Sequence, residues 1–431
     1  MPARANRAAQ FHPNVRMEYA DKSFQIGYAG GYITPEDERI IREYVREKAA
    51  INHISQGRQL KTTYILIRWR LFLPRPYVEL EYPDILEGLE KLKSGTSDKG
   101  TPFKKNTLHD YLRILKTFLL WMIENGRSTL SEKKIQKIEV PSVDFETTEP
   151  GDLLSINDIM KLLEACRQPR DRALISTLYE SGARIGEMGR IQWRDAVFDE
   201  YGIKLYIRDQ KGEQKRYSRL VNLAPPYMAQ WKEQYDKETG NAPIGENQVF
   251  LTNQNKPIEY QTVKALLNRL AARAGMDKRV HAHLFRKSRI TQMIAEGYGE
   301  SVVKETMWKN PNTTQFRTYL KLSEKDIDAE ILDKAGIVKK EVSIQKLPEK
   351  IVCPNCFKDN GPTARYCWKC GWGLTKEIKK SQTQAMKSAE NIYAGVPAQT
   401  LTEADKVEIA NMAAQKILEN FTSNNARMKK K

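Results

Sequence analysis

Four side chains within residues 281–321 have the types and the spacing that phosphoryl-transfer chemistry requires. His283 and Arg286 stand three residues apart, so that on a helix they share one face. Trp308 follows, and Tyr319 comes 11 residues later among polar and cationic neighbours. A guanidinium meets phosphate oxygens through its planar fork, and an activated hydroxyl can form a covalent ester. The set therefore indicates an arginine that holds a phosphate while a phenol oxygen attacks it.

Two further cationic residues precede this set. Arg184 lies in the segment SGARIGEMGRI, and Lys211 lies in the segment DQKGEQKR. In order and spacing, the six residues resemble the catalytic set of the tyrosine recombinase (phage integrase) family, and the resemblance covers residues 34–335. The segment YLKLSEKDIDAEIL, which begins at Tyr319, and a distal cysteine cluster are similar to archaeal members of that family.

The resemblance implies a role for each residue. Tyr319 is the nucleophile that forms a tyrosyl–phosphate bond, while Arg184 and Arg286 hold the two non-bridging oxygens. Lys211 is the general acid that protonates the departing 5′ oxygen. His283 either accepts the proton of Tyr319 or donates a hydrogen bond to the phosphate. Because the covalent ester conserves the energy of the broken bond, no metal or nucleotide cofactor is needed for catalysis.

Trp308 is expected to supply an indole N–H where many members of the family carry a second histidine. The sequence departs from the family pattern there, because Met307-Trp308 replaces a glycine and a histidine. The gap from Trp308 to Tyr319 is also slightly longer than is common in the family. Lys309 therefore competes for the role of Trp308.

Glu187 is the predicted support of the site. It follows Arg184 by three residues, so on a helix its carboxylate can orient Arg184 or His283. His281 is a weaker competitor for His283, because only His283 precedes Arg286 by three residues. Each of these residues alone is more often an ordinary surface or core residue. Their joint occurrence in the family's order favours the catalytic interpretation.

The charge of the chain favours an acidic polymer as its partner. The 431 residues include 71 lysines and arginines against 54 aspartates and glutamates, a net charge of +17. This balance favours double-stranded DNA, although a merely basic, solvated surface has the same composition. No apolar run approaches the roughly 18 residues that a membrane span needs. With no apolar signal core at the N-terminus, the sequence predicts a cytoplasmic, nucleoid-associated protein without membrane contact.

Four of the five cysteines lie in one short segment. Cys353 and Cys356 form a C-x-x-C pair, and Cys367 and Cys370 form a second pair that a glycine follows. Paired knuckles of this kind place four thiolates around zinc, and four cysteines leave no open position for catalysis. We therefore predict a structural zinc in a small zinc ribbon, with an iron–sulfur site or a redox pair as weaker alternatives. Cys166 is expected to be buried in a helix.

Hydrophobic periodicity predicts a mainly α protein with a small antiparallel β-sheet, an α+β fold. GIKLYI and YSRLVNL alternate as strands, with Lys211-Gly212 at the hairpin tip between them. Thr34 and Ser155 each precede an aspartate by three residues and are predicted to cap helices. Helices are predicted at 62–73, 106–126, 170–184, 226–236, 260–274, 283–296, 301–308, 323–335 and 402–421.

These elements divide the chain into six predicted segments. The first and last carry no core of their own, and the second and fourth are the two halves of a DNA clamp. The segments are a flexible N-terminal arm at 1–33, a helical core-binding domain at 34–126, a linker at 127–152, a catalytic recombinase domain at 153–338, a zinc ribbon at 350–375, and a linker, amphipathic helix and basic tail at 376–431.

With the resemblance, these features predict a site-specific DNA recombinase that cleaves and rejoins strands through a 3′-phosphotyrosyl intermediate. The family implies a homotetramer on two DNA sites, with an accessory DNA-bending protein as an optional further partner. The arm and the tail favour an integrase of a virus or other mobile element. Two alternatives stay open: a type IB topoisomerase that relaxes DNA with the same residues, and a non-catalytic DNA-binding accessory protein.

Overall fold

The computed structural model describes residues 17–96, 100–145, 150–208, 215–319 and 348–376, with short pieces at 328, 331–332, 334–337 and 378–379. It confirms a mainly helical protein with a small antiparallel sheet. The hairpin tip with Lys211, most of the helix predicted at 323–335 and all of 402–421 lie outside the described residues. Within the described part of the chain, no helix is long and apolar enough to cross a membrane.

The first unit is helical, and the apolar faces of its helices meet in one core that contains Trp69, Tyr77 and Phe118. Tyr77 and Phe118 pack edge to face with ring centroids 4.8 Å apart. The predicted cap at Thr34 is confirmed, because its hydroxyl and the Asp37 carboxylate exchange hydrogen bonds with each other's backbone N–H at 3.1 Å. The helices are α1 (Glu18–Ala29), α2 (Pro35–Asn52), α3 (Gln56–Trp69), α4 (Tyr82–Ser94), α5 (Lys105–Glu124) and α6 (Glu132–Gln136).

The prediction of a flexible arm at 1–33 is wrong for the residues that form α1, Glu18–Ala29. Ala20, Phe24 and Gly27 are the buried positions of α1, at helical spacing, and α1 packs on α3. These three buried residues are surrounded by polar and small residues, so the hydrophobic periodicity of this segment is too weak to indicate a helix from sequence alone. The hydrophobic periodicity of the sequence also did not indicate helix α4.

The linker predicted at 127–152 is in part a packed segment. Ile135 and Ile138 enter the core of the first unit. Beyond α6 the chain runs along α5, where Asn106 exchanges hydrogen bonds of 2.8 and 2.7 Å with the backbone of Asp144. Prolines and acidic residues suggested a free tether. The few apolar residues that anchor the segment are too scattered to form a pattern.

The second unit surrounds one buried helix, α8, in which every residue from 173 to 181 is buried. The strand order is β1-β2-β3 and all pairing is antiparallel. The predicted cap at Ser155 is confirmed by a capping box with Asp158. The elements are α7 (Ile156–Ala165), α8 (Pro169–Ser181), α9 (Ile185–Met188), β1 (Ala196–Asp199), β2 (Gly202–Arg208), β3 (Lys215–Leu220), α10 (Ala224–Thr239), α11 (Tyr260–Arg273), α12 (Ala282–Ala295), α13 (Glu300–Trp308) and a 3-10 turn (Thr314–Tyr319).

A third, small unit contains the paired cysteines. Its strands are β4 (Ile351–Val352) and β5 (Asp359–Asn360), and a β-bridge joins Tyr366 to Gly373. The apolar cluster of this unit includes Cys353, Cys367 and Leu374. Because so little apolar surface is buried, the four cysteines are the main candidates to hold the unit together.

Candidate active site

The first candidate arginine lies after a turn and not within a helix. α8 ends at Ser181, and Gly182 adopts a left-handed conformation with φ +56°. A Cβ at Gly182 would lie 2.8 Å from the side chain of Met307, so both conformation and space require glycine there. Arg184 then becomes the N-cap residue of α9. The prediction that the helix continues to Arg184 is therefore wrong, because Gly182 redirects the chain two residues earlier.

Glu187 contacts Arg184 through two hydrogen bonds. One carboxylate oxygen accepts from the Arg184 backbone N–H and the other from Nη1 of the Arg184 guanidinium, both at 2.9 Å. The Glu187 carboxylate also contacts a second guanidinium, because Nη2 of Arg216 donates to Oε2 of Glu187 at 3.0 Å. Burial raises the pKa of Glu187, but Arg216 and Arg184 lower it more, so the net shift is downward. The carboxylate is therefore ionised near neutral pH and fixes Arg184.

Arg286 is the buried centre of the site. It lies on α12 with 1% of its surface exposed. Its Nη1 donates to the carbonyl of Gly182 at 2.7 Å, and its Nη2 donates to the carbonyl of Met307 at 2.6 Å. The guanidinium carbon lies 5.2 Å from the ring centroid of Trp308. Burial and the nearby Arg216 lower the pKa of Arg286 to about 9, which still leaves the group charged at pH 7.

Trp308 connects Arg286 to Tyr319. The ring centroids of Trp308 and Tyr319 lie 5.9 Å apart, and the indole N–H donates to Oε1 of Gln315 at 2.6 Å. Tyr319 ends the 3-10 turn. Burial raises the pKa of Tyr319, whereas Arg286 and Arg184 act to lower it. The net shift is upward, so the phenol is protonated at pH 7 and lies within electrostatic reach of both arginines.

Lys309, the competitor of Trp308, has a different environment. It is the C-cap residue of α13, with a left-handed backbone at φ 50°, and it is exposed. Trp308 in contrast contacts both Arg286 and Tyr319. This geometry supports Trp308 as the residue of the site.

His283 and His281 differ in what they contact. His281 is the N-cap residue of α12, and its Nδ1 accepts from the backbone N–H of Leu284 at 3.2 Å. His283 lies one turn before Arg286 and keeps access to solvent. Partial burial, followed by the charges of Lys287 and Arg286, lowers the pKa of His283 to about 4. A neutral imidazole can accept a proton at pH 7, and the capping contact weakens the case for His281.

Lys211 lies outside the described residues, but its flanking strands do not. β2 and β3 pair from Ile203 opposite Leu220 to Arg208 opposite Lys215. The two strands of the predicted hairpin are therefore confirmed. The role of Lys211 at the tip stays a prediction.

The sequence pattern missed Arg216. It points inward from β3 and is 6% exposed, on the strand face shared by Ser218 and Leu220. The signal that could have found it is a charged residue at an inward position of an alternating strand, since unpaired arginines are almost never fully buried. Arg184 and Arg216 share the carboxylate of Glu187, and Arg286 donates to two backbone carbonyls. Among these described groups positive charge is in excess, which suits an anionic group.

The four paired cysteines form a second candidate site. Their sulfur atoms all lie within 4.8 Å of one another, with Cys353 and Cys370 at 3.6 Å and Cys356 and Cys367 at 3.5 Å. Tetrahedral zinc with Zn–S bonds near 2.3 Å implies S–S separations of about 3.8 Å. The four thiols therefore fit a metal of this kind.

The cysteine unit contacts α10. The phenol of Tyr227 and the Thr363 hydroxyl are 2.6 Å apart, and the Thr363 backbone N–H donates to the same phenol at 3.3 Å. At Gly361, a Cβ would lie 2.1 Å from the Tyr227 ring, so only glycine allows this approach. Lys369 and Glu233 form an exposed ion pair at 2.6 Å.

Comparisons with known proteins agree with this site. Residues 152–326 match the phage integrase family. The chain is 25% identical over 211 residues to transposase A from transposon Tn554 of Staphylococcus aureus, covering 46% of this chain and 55% of the transposase. It is also 25% identical over 250 residues to a tyrosine recombinase of Thermosipho africanus, covering 57% and 82%. The solved structure of the Tn1549 transposon integrase with circular intermediate DNA gives a TM-score of 0.51 at 17% identity, covering 68% and 98%.

The fold is similar to that of a solved transposon integrase. The match of residues 152–326 to the phage integrase family and the identity with a tyrosine recombinase agree with the family resemblance, while the roles of Arg184 and Tyr319 stay predictions. The fold likeness to the Tn1549 integrase extends this architecture to the first unit as well. The chain spans 55% of the length of the Tn554 transposase that it matches.

Proposed function

We propose that this protein cleaves and rejoins double-stranded DNA at specific sites through a 3′-phosphotyrosyl intermediate. One observation carries the proposal: Arg286, Trp308 and Tyr319 pack in series. Both Arg286 and Arg184 also act to lower the pKa of the Tyr319 phenol. A structural tyrosine has no need of two guanidinium groups. A tyrosine that attacks a phosphate needs both, one for each non-bridging oxygen.

The reaction follows from these groups. The phenol oxygen of Tyr319 bonds to phosphorus as the bond from phosphorus to the 5′ oxygen breaks. The phenol proton passes to His283, and Lys211 supplies a proton to the departing 5′ oxygen. Arg184 and Arg286 offset the charge that develops on the non-bridging oxygens. Rejoining reverses these steps, with a 5′ hydroxyl attacking the tyrosyl phosphate and the phenol leaving.

Duplex DNA as the substrate is supported by the outward face of the sheet. The two longer strands each present one lysine, one tyrosine and one arginine there. Asp199 pairs with Lys204 and Arg219. Asp195 pairs with Arg208, so three of the four cations share two carboxylates and the face keeps an excess of positive charge. The two tyrosine rings are 5.8 Å apart and partly exposed. These residues are Lys204, Tyr206 and Arg208 on β2, and Lys215, Tyr217 and Arg219 on β3.

The finer assignments rest on the family resemblance. Four copies are proposed to act on two DNA sites of a viral or mobile element, with an accessory DNA-bending protein as an optional partner at the nucleoid. The segment that begins at Tyr319 supports a place among archaeal members. The six predicted segments of the chain remain the proposed domain division, corrected by α1 and α6.

Product analysis separates this function from its alternatives. The full-length protein is incubated with supercoiled plasmids that carry random inserts, and DNA that stays attached after denaturation is sequenced. A recombinase is expected to attach to one short sequence and to form recombined joints. Relaxed circles from any plasmid would indicate a type IB topoisomerase, and DNA binding without attached product would indicate an accessory protein.

The pH dependence of cleavage is expected to report the protonation of His283. A base must be unprotonated, and the unprotonated fraction falls as pH drops through a pKa of about 4. Single-turnover cleavage should therefore be flat from pH 6 to 8 and decline toward pH 4. His283→Asn should lower the rate by about 10²–10⁴-fold and remove this acid decline.

His281→Asn is the matched control. Asparagine can replace the cap of α12 through its side-chain oxygen, so the melting temperature should stay close to that of the wild type, and the pH profile should keep its acid decline. If His283→Asn left the profile unchanged and His281→Asn removed the decline, the two histidines would have to exchange roles.

We also infer that Cys353, Cys356, Cys367 and Cys370 bind a structural zinc, which completes a zinc ribbon. The donor set of four thiols and its spacing support this inference. Bound zinc would supply folding energy to the unit and no chemistry to the DNA reaction. The ribbon residues Gly361 and Thr363 then hold the unit against Tyr227.

Gly361→Val is expected to release the ribbon from α10 without loss of zinc. The added side chain collides with the Tyr227 ring, while none of the four cysteines is changed. Metal analysis should still give one zinc per chain, and limited proteolysis should cut near residue 348 faster than in the wild type. Gly299→Val, where a Cβ meets nothing within 4 Å, is the control. Equal protection of the two variants would contradict the docking.

A further inference from the structure

Arg216 joins three segments of the second unit that are far apart in sequence. Its Nη2 donates to Glu187 on α9 at 3.0 Å. Its Nη1 donates to the carbonyl of Thr306 on α13 at 2.9 Å and, more weakly, to that of Ser181 at the end of α8 at 3.4 Å. Arg216 itself belongs to the hairpin, five residues after Lys211.

Each segment that Arg216 contacts carries part of the candidate site. Glu187 holds Arg184. Ser181 precedes Gly182, and Thr306 precedes Met307; the carbonyls of Gly182 and Met307 are the two acceptors of Arg286. Displacement of either segment would therefore move Arg286 or its support.

We propose that Arg216 is a positioning residue of the DNA cleavage site, a role that rests on the proposed function. It fixes Arg184 through Glu187, and it fixes Arg286 through the ends of α8 and α13. Both terminal nitrogens of Arg216 are engaged with protein groups, and only 6% of the residue is exposed. Arg286 is as buried, but it contacts Trp308 beside Tyr319, whereas no contact of Arg216 with Trp308 or Tyr319 is among those the structure shows. Arg216 is therefore proposed to act through its neighbours and not by contact with DNA.

The chemistry of the side chain explains why arginine is needed. A guanidinium donates in several directions within one plane, so it can reach a carboxylate and two carbonyls together. A lysine keeps the charge, but its single ammonium cannot reproduce the fork. An apolar residue at position 216 would remove one cation from Glu187. It would also leave the carbonyls of Ser181 and Thr306 without this donor.

The test compares Arg216→Lys and Arg216→Met with Arg194→Met in the full-length protein. Arg194 lies in the same unit but is exposed, and it pairs with Glu246 at 2.6 Å, away from the residues assigned to cleavage or DNA binding. A nicked duplex that carries the selected site is the probe, and adduct formation and binding are measured separately. Arg216→Met is expected to slow adduct formation about 100-fold with DNA affinity within a few-fold of wild type. Arg216→Lys should give a smaller loss, and Arg194→Met should leave the cleavage rate within threefold of wild type.

A pH profile distinguishes positioning from a loss of fold. Glu187 contacts the guanidinium groups of Arg184 and Arg216, and Arg216 is the stronger of the two in lowering the pKa of that carboxyl. Without Arg216 the pKa of Glu187 rises, so protonation at mildly acid pH releases Arg184. Cleavage by Arg216→Met should therefore increase with pH over a range where the wild type is flat.

A double variant completes the test. Glu187→Gln with Arg216→Met should be no slower than the slower single variant, because both break one support. Full adduct formation by a folded Arg216→Met, or a loss explained entirely by weaker binding, would overturn the inference alone. If Arg216→Met does not fold, Arg216→Lys decides between these results. A wild-type protein that forms no adduct would overturn the proposed function and this inference with it.

Discussion

A Tyr319→Phe variant is expected to bind DNA with wild-type affinity and to form no covalent adduct. The substitution removes only the hydroxyl, and the ring keeps its contact with Trp308. Without the hydroxyl there is no nucleophile, so cleavage should fall by on the order of 10⁴-fold or more. The measurement is a denaturing gel of protein mixed with a nicked suicide duplex, on which the adduct migrates more slowly than free protein.

Tyr298→Phe is the matched control for this prediction. Tyr298 lies in the same unit and is 46% exposed, so loss of its hydroxyl should change neither binding nor adduct formation. An adduct that persists in Tyr319→Phe at the wild-type level would show that another residue attacks the phosphate.

Arg286→Lys is expected to lower the cleavage rate by about 10²–10³-fold while the protein stays folded. The guanidinium already donates to the carbonyls of Gly182 and Met307, and its remaining N–H groups are the ones available to a phosphate. A lysine ammonium can keep the charge, but it cannot serve both carbonyls and a bidentate phosphate contact. Single-turnover adduct formation at saturating protein measures the effect on the chemical step.

Arg289→Lys tests whether any buried arginine of α12 would give the same result. Arg289 is 8% exposed and pairs with Glu296 at 3.2 Å, without a contact to Trp308 or Tyr319 among those the structure shows. Its substitution should lower the melting temperature and leave the cleavage rate within a few-fold of wild type. Equal losses of cleavage in the two variants would reduce Arg286 to a structural role.

The order and types of the candidate site residues were enough to predict from sequence the family that residues 152–326 match. The proposed reaction requires an arginine pair and a tyrosine, so Arg184, Arg286 and Tyr319 can be picked out in one sequence. Helix caps were also predictable, since Thr34 and Ser155 make local contacts with residues three positions on.

The parts that sequence did not predict depend on tertiary contacts. Arg216 is an inward arginine whose three partners come from α8, α9 and α13, and no local pattern joins them. The turn at Gly182 is marked in the sequence only by one glycine, whose left-handed φ of +56° ends α8 there. Helix α1 was missed because it has few buried residues, and their burial depends on contact with α3.

The most direct test of the central claim is to identify the residue that carries DNA in the trapped adduct. The wild-type adduct is digested with nuclease and trypsin, and the modified peptide is sequenced by mass spectrometry. We expect one modified peptide, in which a nucleotide is joined through its 3′ phosphate to Tyr319. Attachment at any other residue, or through a 5′ phosphate, would contradict it.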